Sequence, residues 1–355
     1  MTQPRRSFAS DNVAPVAPAV MAALNEANVG SVHSYGDDPW SARLQALVRE
    51  LFETELSVFA VATGTAANSL GLAALAPPYG AVYCQAEAHV ATDECGAPEF
   101  FTGGAKLIGL PSADGKVQPD QLSGPVAHAH EMGVHHVQPA ALSVSQATEW
   151  GTVYSRSELG ALAARAHELG LSVHMDGARF ANALAHLDCS PAAASWQSGV
   201  DVLSLGATKN GALAAEAVVF FRPELARDFE RRRKRAGHLW SKSRYLSAQL
   251  LAYLDNDLWL RHARHANALA TRLADGLARR HFQVLQRVQA NEVFAALPAP
   301  LIGAVRAQGF EFYEWPAPPG QRQPVVRLVT AYDMQHSDVD ALLGAIDAAA
   351  AAGAS

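Results

Sequence analysis

From about residue 40 onward, the chain alternates stretches with helical spacing of apolar residues and short runs that are apolar almost throughout. Residues 40–53 place apolar side chains three and four positions apart, which is typical of an amphipathic helix. Strands that alternate with helices favour a mostly parallel sheet covered on both faces. On this pattern we predict helices over 40–53, 63–76 and 157–170, and strands over 56–62, 81–85, 171–175, 201–207 and 216–221.

The pattern changes after about residue 245, where a long amphipathic stretch is followed by strands at hairpin-like spacing. This alternation favours a smaller, separate α+β domain at the C-terminus. We expect an N-terminal arm (1–20), a large domain (21–250) and a small domain (251–355). Within the last, we predict a helix over 257–280, strands over 282–288, 292–297 and 324–332, and a helix near 301–308.

The composition is that of a folded protein, with 355 residues of which 49% are hydrophobic and 17% charged. The net charge of −6 argues against nucleic acid as a partner. No apolar run reaches the ~18 residues that a membrane span needs. The three cysteines form no C-x-x-C pair, so neither a disulfide framework nor a cysteine zinc site is expected. Arg5 and Arg6 ahead of the apolar stretch 13–24 resemble an export signal, but Asp11, Pro15 and Pro18 weaken that interpretation, and we expect a cytoplasmic protein.

The stretch TGTAANS (63–69) follows a predicted strand and opens a predicted helix. Backbone N–H groups at Gly64 and Thr65, the Thr65 hydroxyl and the positive end of the helix suit a phosphate group. An ordinary helix N-cap uses the same residues, so the motif alone is weak evidence.

Lys209 and Asp176 each follow a predicted strand, in GATKNG (206–211) and HMDGAR (174–179). Their separation is about one strand–helix–strand unit, so both are expected at the sheet edge where open α/β sheets bind ligands. A lysine amine, a carboxylate and a phosphate cradle are what pyridoxal 5′-phosphate needs for its aldehyde, its pyridine nitrogen and its phosphate. His89 is placed to lie flat on such a ring. A surface lysine and a structural histidine are the plainer interpretations of the same residues.

Six motifs in order resemble the L-threonine aldolases of the aspartate-aminotransferase-like superfamily, and most of all the low-specificity and phenylserine-type branch. The resemblance extends over about residues 8–330 and implies a pyridoxal-phosphate-dependent transferase-like α/β fold with a seven-stranded, mostly parallel sheet. The motifs are FASDN (8–12), YGDDPW (35–40), TGTAANS (63–69), AHVATDE (88–94), HMDGAR (174–179) and GATKNG (206–211).

The resemblance also implies a role for individual residues. Lys209 would form the Schiff base with the cofactor, Asp176 would pair with the pyridine nitrogen, and His89 would stack on the ring near the substrate hydroxyl. Arg179 would lie on the ring-oxygen side near the substrate carboxylate. The remaining assignments are Gly64 and Thr65 for the phosphate, and Ser10, Tyr35 and Arg327 for the substrate. Arg327 has independent support, because it interrupts the apolar strand VVRLVT, where an unpaired charge would be costly.

The sequence departs from the commoner family pattern at three places. Glu149 stands where many relatives have a histidine, so the base that takes the β-hydroxyl proton is left open between His89, Glu149 and water. Thr208 precedes the lysine where many relatives have serine, and either hydroxyl could reach the phosphate. The stretch 231–245 replaces a glycine-rich segment, and Lys242 and Arg244 are the candidates there for a phosphate contact, either within the chain or across a subunit boundary.

The implied activity is cleavage of L-β-hydroxy-α-amino acids, such as threonine, allo-threonine or phenylserine, to glycine and an aldehyde. β-Elimination or racemisation on the same cofactor is an alternative, as is a ligand- or metal-binding protein that keeps the fold. The basic run Arg231–Arg235 fits an oligomer contact better than nucleic acid, given the negative chain. The histidines of HAHEMGVHH (128–136) favour a solvated segment over a metal site, and no metal is expected. The family implies a homo-oligomer, usually a dimer-based tetramer.

Overall fold

The computed structural model describes residues 6–353. Its strands are β1 Arg6–Ser7, β2 Ser57–Val61, β3 Gly80–Gln85, β4 Lys106–Leu110, β5 Gln138–Ser145, β6 Ser172–Gly177, β7 Val202–Leu205, β8 Glu216–Phe220, β9 Gln283–Val284, β10 Glu292–Ala296, β11 Phe310–Glu311, β12 Tyr313–Trp315 and β13 Val325–Val329. Its α-helices are α1 Pro18–Ala27, α2 Pro39–Phe52, α3 Gly64–Leu75, α4 His89–Thr92, α5 Ala97–Thr102, α6 Asp120–Met132, α7 Arg156–Glu168, α8 Phe180–Leu187, α9 Phe229–Arg235, α10 Arg244–Leu254, α11 Leu258–Arg279, α12 Ala299–Ala307 and α13 His336–Gly353.

Within residues 6–353, seven strands form one large sheet in the order β2-β8-β7-β6-β5-β3-β4. Neighbouring strands from β7 to β4 run parallel, while β8 is antiparallel to both β7 and β2. The predicted mostly parallel sheet is therefore confirmed. The carboxyl ends of β3, β5, β6 and β7 lie along one edge, where such sheets bind ligands.

Helices cover both faces of this sheet, because alternate residues of each strand point to opposite sides. On β6, Val173 and Met175 pack into the larger core with α2, α6, α7, α8 and α10. His174 and Asp176 face the other way, toward α3. The register of β6 thus directs its one carboxylate toward the start of α3.

A second, four-stranded antiparallel sheet has the order β12-β13-β10-β9 and packs on α11, α12 and α13. The N-terminal segment joins this part of the molecule, since β1 pairs in parallel with β11. Phe8 is fully buried in the same core, and its carbonyl accepts a hydrogen bond from Val329. The expected domain boundaries remain predictions, and the outer ends of the first and last expected domains lie beyond the described residues, as does Arg5.

Some predicted elements differ from those observed. The strand predicted over 282–288 is only Gln283–Val284, because just those two residues pair with β10. Strands β4 and β5 were not predicted; β4 contains a glycine and β5 begins with Gln138 and Pro139, so neither reads as a clear β-branched run. No helix within 6–353 is long and apolar enough to cross a membrane.

Candidate active site

A cavity of about 610 Å³ opens at the carboxyl edge of the large sheet. Its walls come from the segments that follow β3, β5, β6 and β7, and from the N-terminal arm and the second sheet. The structure brings together in this cavity the following predicted residues: Ser10, Gly64, Thr65, His89, Glu149, Asp176, Arg179, Thr208, Lys209 and Arg327.

Asp176 is held by α3 through a single amide side chain. Asn68 Nδ2 donates to Asp176 Oδ2 at 2.8 Å and also to Glu94 Oε1 at 2.8 Å. The other Asp176 oxygen accepts a hydrogen bond from the backbone of Ala178 at 2.9 Å. Both Asp176 oxygens thus accept hydrogen bonds from N–H donors, which fixes the orientation of the carboxylate in the cavity.

His89 begins the short helix α4 and contacts Glu94 at the end of the same segment. The distance between His89 Nδ1 and Glu94 Oε1 is 2.8 Å. This hydrogen bond raises the pKa of His89 against the opposing effect of burial, and Asp176 adds to the increase. The contact assigns the Nδ1 proton to the Glu94 side and leaves Nε2 for the cavity.

Glu149 contacts the backbone of His89. Its Oε1 accepts hydrogen bonds from the Ser145 hydroxyl at 2.5 Å and from the His89 backbone N–H at 3.0 Å. Its Oε2 has no partner among the described residues. Burial raises the pKa of Glu149 to about 7, although the Ser145 hydrogen bond works against the increase. The carboxylate is therefore poised to exchange a proton near neutral pH.

Lys209 lies in a short 3-10 turn, Thr208–Asn210, directly after β7. Two glycines let this turn approach β6, since Gly206 N–H donates to Gly177 at 3.0 Å. A Cβ atom on Gly206 would lie 2.5 Å from the Ala178 carbonyl oxygen. The close approach therefore brings the segment carrying Lys209 beside the one carrying Asp176.

Glu216 lines the cavity and is hydrogen-bonded to the segment that carries Lys209. It accepts hydrogen bonds from the Ala207 backbone N–H at 2.7 Å and from the Thr208 hydroxyl. Burial raises its pKa to about 7, while the Thr208 hydrogen bond and the charge of Lys209 oppose that effect. Glu216 therefore holds the turn that carries the lysine.

The start of α3 forms the opposite end of the cavity. Thr63 caps the helix, accepting from the Ala66 N–H at 3.2 Å, and leaves the first N–H groups of the helix open to the cavity at Gly64 and Thr65. A Cβ on Gly64 would meet nothing within 4 Å. Open N–H groups at a helix N-terminus suit an anion.

Arg179 is already engaged by carboxylates of this chain. Its Nε and Nη2 donate to Asp11 at 2.8 and 2.9 Å, and its Nη1 lies 3.4 Å from Glu292. Burial opposes the charge of the guanidinium, but these two acids raise the pKa of Arg179 above its usual value. Asp11 thereby ties the N-terminal arm, with Ser10, to the cavity.

Arg327 is less fully engaged. Its Nη2 donates to the Ala9 carbonyl at 3.1 Å, and its guanidinium lies 4.7 Å from the Trp315 ring centre and 5.6 Å from that of Tyr313. Its Nε is buried and has no partner among the described residues. Arg327 is thus the guanidinium with a donor still open to a carboxylate.

Three predicted site residues are not brought to this cavity. Tyr35 lines a separate cavity of about 710 Å³ beside α2. Lys242 is exposed, and Arg244 donates to the carbonyls of Val29 and Gly30. Within one chain, these three side chains do not meet Lys209.

Several residues at the site were not singled out from the sequence. They are Asp11, Asn68, Glu94, Glu216, Asn291 and Glu292. Asp11 and Glu94 fall inside the quoted motifs FASDN and AHVATDE. Glu292 stands at the start of the apolar strand in NEVFAAL (291–297). Because a buried charge needs a partner, this position could have indicated a site residue.

The cavity fits pyridoxal 5′-phosphate. Among the described residues, Asn68 Oδ1, Glu149 Oε2, Glu292 Oε2 and Arg327 Nε are buried polar atoms without a partner on its walls, which indicates a polar occupant. The helix end at Gly64 suits the phosphate, the Lys209 amine suits the aldehyde and Asp176 suits the pyridine N–H.

The acids near His89 also approach the spacing of a metal site. Ligand atoms of His89, Glu94 and Asp176 all lie within 4.8 Å of one another. The Asn68 amide donates to both carboxylates, however, and an N–H donor cannot ligate a cation. In this part of the chain the geometry is that of a hydrogen-bond network.

Comparison with known proteins agrees with this chemistry. Residues 7–299 match the beta-eliminating lyase family. The low-specificity L-threonine aldolase of Pseudomonas aeruginosa is 47% identical over 323 residues, covering 91% of this chain and 93% of that protein. The corresponding protein of a Pseudomonas species is 45% identical with the same coverage.

Solved structures give the same result. Leishmania major threonine aldolase matches with a TM-score of 0.89 at 26% identity, covering 96% of this chain and 98% of that one. Sphingomonas wittichii serine palmitoyltransferase, at 17% identity and a TM-score of 0.69, covers 98% of this chain and 87% of that one and shares the fold. The predicted fold class is thus confirmed, and the chain belongs to the L-threonine aldolases, pyridoxal 5′-phosphate-dependent lyases within the beta-eliminating lyase family.

Proposed function

We propose that this protein cleaves the Cα–Cβ bond of L-β-hydroxy-α-amino acids, such as threonine, allo-threonine and phenylserine, to glycine and an aldehyde, and catalyses the reverse addition. The observation that carries the proposal is the convergence of Lys209, Asp176 and Glu149 on one cavity, with an oxygen of Glu149 and a nitrogen of Arg327 left open. A lysine, an acid for the pyridine nitrogen, a proton acceptor and a carboxylate ligand are what the reaction requires.

Lys209 and Asp176 serve the cofactor. When bound, pyridoxal 5′-phosphate supplies an aldehyde that takes up the amino group and a ring that accepts the electron pair released by the breaking bond. The Lys209 amine would hold the cofactor through its aldehyde when no substrate is bound. Asp176, oriented by Asn68, would pair with the pyridine N–H.

Glu149 is the group we assign to the β-hydroxyl proton. Its open Oε2 and its pKa of about 7 suit a base at neutral pH. His89, whose pKa is raised by Glu94, stays protonated to higher pH and covers the ring instead. A proton removed from the hydroxyl at Glu149 can return to the product after the bond has broken.

Arg327 and Ser10 are assigned to the substrate carboxylate. Holding that group would fix the orientation of the substrate and so determine which bond to Cα is broken. Arg179 assists by fixing Asp11, the neighbour of Ser10.

We further propose that the active form is a homo-oligomer built from dimers in a reducing compartment such as the cytoplasm. The lysines and arginines that line the cavity in residues 6–353 are Lys209, Arg179 and Arg327, and none is left for the phosphate. Lys242 and Arg244 of a neighbouring copy would supply that charge, and Tyr35 would reach the same site. Three free cysteines suit a reducing environment.

The product assay tests the proposal. Purified protein is expected to be yellow and to release glycine and an aldehyde from L-threonine, L-allo-threonine or L-phenylserine. Lys209→Ala should lose the colour and the activity together. A keto acid and ammonia in place of glycine would establish elimination instead, and a colourless protein that takes up no added cofactor would contradict the proposal altogether.

A further inference from the structure

Glu292 lies between the two arginines at the substrate end of the cavity. Its Oε1 is 3.4 Å from Arg179 Nη1 and 3.9 Å from Arg327 Nη1. The side chain is 1% exposed, and its Oε2 has no partner among the described residues. The Glu292 carboxylate therefore lies near two guanidinium groups through one oxygen, and its other oxygen is without a partner on the cavity wall.

The Glu292 side chain is packed closely against neighbouring segments of the chain. Glu292 is the first residue of β10, directly after Asn291, whose amide donates to Asp11 at 3.0 Å. Gly151, with a φ of +68°, passes so near that a Cβ there would lie 3.1 Å from Glu292 Cβ. The side chain has little room to swing away from the arginines.

The charges at this end of the cavity balance before any substrate arrives. Two arginines face two carboxylates, because Asp11 binds Arg179 through both oxygens and Glu292 is shared. The open donor is Arg327 Nε, which provides for one carboxylate. A second carboxylate at this end of the cavity would meet the free oxygen of Glu292, and both arginines there already face acids of this chain.

We propose that Glu292 is a specificity-determining residue that restricts the site to β-hydroxy amino acids with an uncharged side chain and excludes those with a second carboxylate. This inference rests on the proposed function, since it assumes that the α-carboxylate binds at Arg327. The physical cause is repulsion between two carboxylates beside the buried Glu292 side chain, where like charges without a counter-ion are costly.

Other acids on the cavity walls would also repel a second substrate carboxylate. Glu87, Asp93 and Glu149 also line the cavity. Glu87 is hydrogen-bonded to the Trp150 indole at 2.7 Å, and Glu149 to Ser145 and His89, so these acids are held by neutral donors. Among these acids, Glu292 lies near both Arg179 and Arg327. Removing its charge would therefore leave positive charge on these arginines available to a second substrate carboxylate.

The wild-type protein gives the first test, using two unreactive ligands of nearly equal shape. The dissociation constants of L-asparagine and L-aspartate are measured on the holoenzyme by calorimetry, with glycine as a reference. We expect L-aspartate to bind at least about tenfold more weakly than L-asparagine. Equal binding of the two would overturn the inference, whereas failure of glycine to bind would count against the proposed function itself.

The variant Glu292→Gln gives the second test. The ratio of the two dissociation constants should fall to within about threefold, because the amide no longer repels a carboxylate. Glu314→Gln is the matched control, since Glu314 lies on the same sheet with its side chain 55% exposed and paired with Arg306. An unchanged ratio in a folded Glu292→Gln protein would contradict the inference. Should that variant fail to fold, the wild-type measurement decides.

Discussion

Arg179 donates two hydrogen bonds, of 2.8 and 2.9 Å, to the carboxylate of Asp11, and so fastens the N-terminal arm to the segment that follows β6. Both side chains are nearly buried, at 12% and 2% exposed. Such a pair adds little when intact but is costly when one partner is removed, because the other charge remains buried.

Replacing Asp11 by Asn should therefore lower the free energy of unfolding by about 3–5 kcal/mol, measured by urea denaturation. Burial alone would raise the pKa of Asp11, but Arg179 and Lys209 lower it below its ordinary value of 3.8. A lowered pKa contributes stability that is present above the ordinary value and lost as the pH falls below it. The difference between wild type and variant should accordingly shrink on acidification.

Asp340→Asn is the control for that measurement. Asp340 pairs with Arg272 at 2.6 Å, but these side chains are 52% and 45% exposed. Solvent screening limits such a pair to less than about 1 kcal/mol. Equal losses in both variants would contradict the importance assigned to the buried pair.

Glu149→Gln should lower kcat/KM for L-threonine by about 10²- to 10⁴-fold, the usual contribution of a general base. In the wild type, kcat/KM should rise as the pH passes through about 7, because Glu149 acts in its ionised form. The variant should lack this rise. Ser145→Ala removes a hydrogen bond that lowers the pKa of Glu149. In this variant the rise in kcat/KM should therefore occur at a higher pH. If the rise in kcat/KM is the same in both variants as in the wild type, a group other than Glu149 takes the β-hydroxyl proton.

Glu94→Gln should lower the pKa of His89, since the hydrogen bond that His89 Nδ1 donates to the Glu94 carboxylate is the largest cause of its increase. The change is measured by NMR titration of the labelled histidine ring. His174 is an internal reference, because burial between Ser143 and Ser204 lowers its pKa to about 4. If His89 titrates at the same pH in variant and wild type, Glu94 does not control its charge.

Gly206→Ala should destabilise the protein by about 1–3 kcal/mol, as overpacking does, and weaken cofactor binding. The added Cβ would lie 2.5 Å from the Ala178 carbonyl and push apart the segments that carry Asp176 and Lys209. Gly160→Ala is the control, because nothing lies within 4 Å of that position on helix α7. It should stabilise the protein by up to about 1 kcal/mol.

The parts of the site that follow from local pattern could be predicted from the sequence. Lys209 and Asp176 stand at the ends of apolar strands, and periodicity alone places both at one sheet edge. The strand before Asp176 was predicted over 171–175 and is observed over Ser172–Gly177. These residues and the TGTAANS turn already suggested the cofactor, and the motif resemblance then supplied the reaction, which composition could not.

The supporting contacts could not be predicted, because they join residues far apart in the chain. Asn68 meets Asp176 only once α3 lies across β6, and Asn68 reads as an ordinary helix residue in TGTAANS. Arg179 was expected to serve the substrate carboxylate, yet its donors are largely taken by Asp11 and Glu292. No local pattern announces a partner 168 residues away.

The pairing of β1 with β11 has a consequence for the order in which the protein is made. Asp11 and its partner Asn291 are 280 residues apart, so the contacts of the arm with the second sheet form only after nearly the whole chain has been translated. The segments that carry Asp176 and Lys209 leave the ribosome well before that point, and domains form from the N-terminus onward during synthesis. Ser10 and Arg327, the residues that we propose for the substrate carboxylate, are therefore brought together after Asp176 and Lys209.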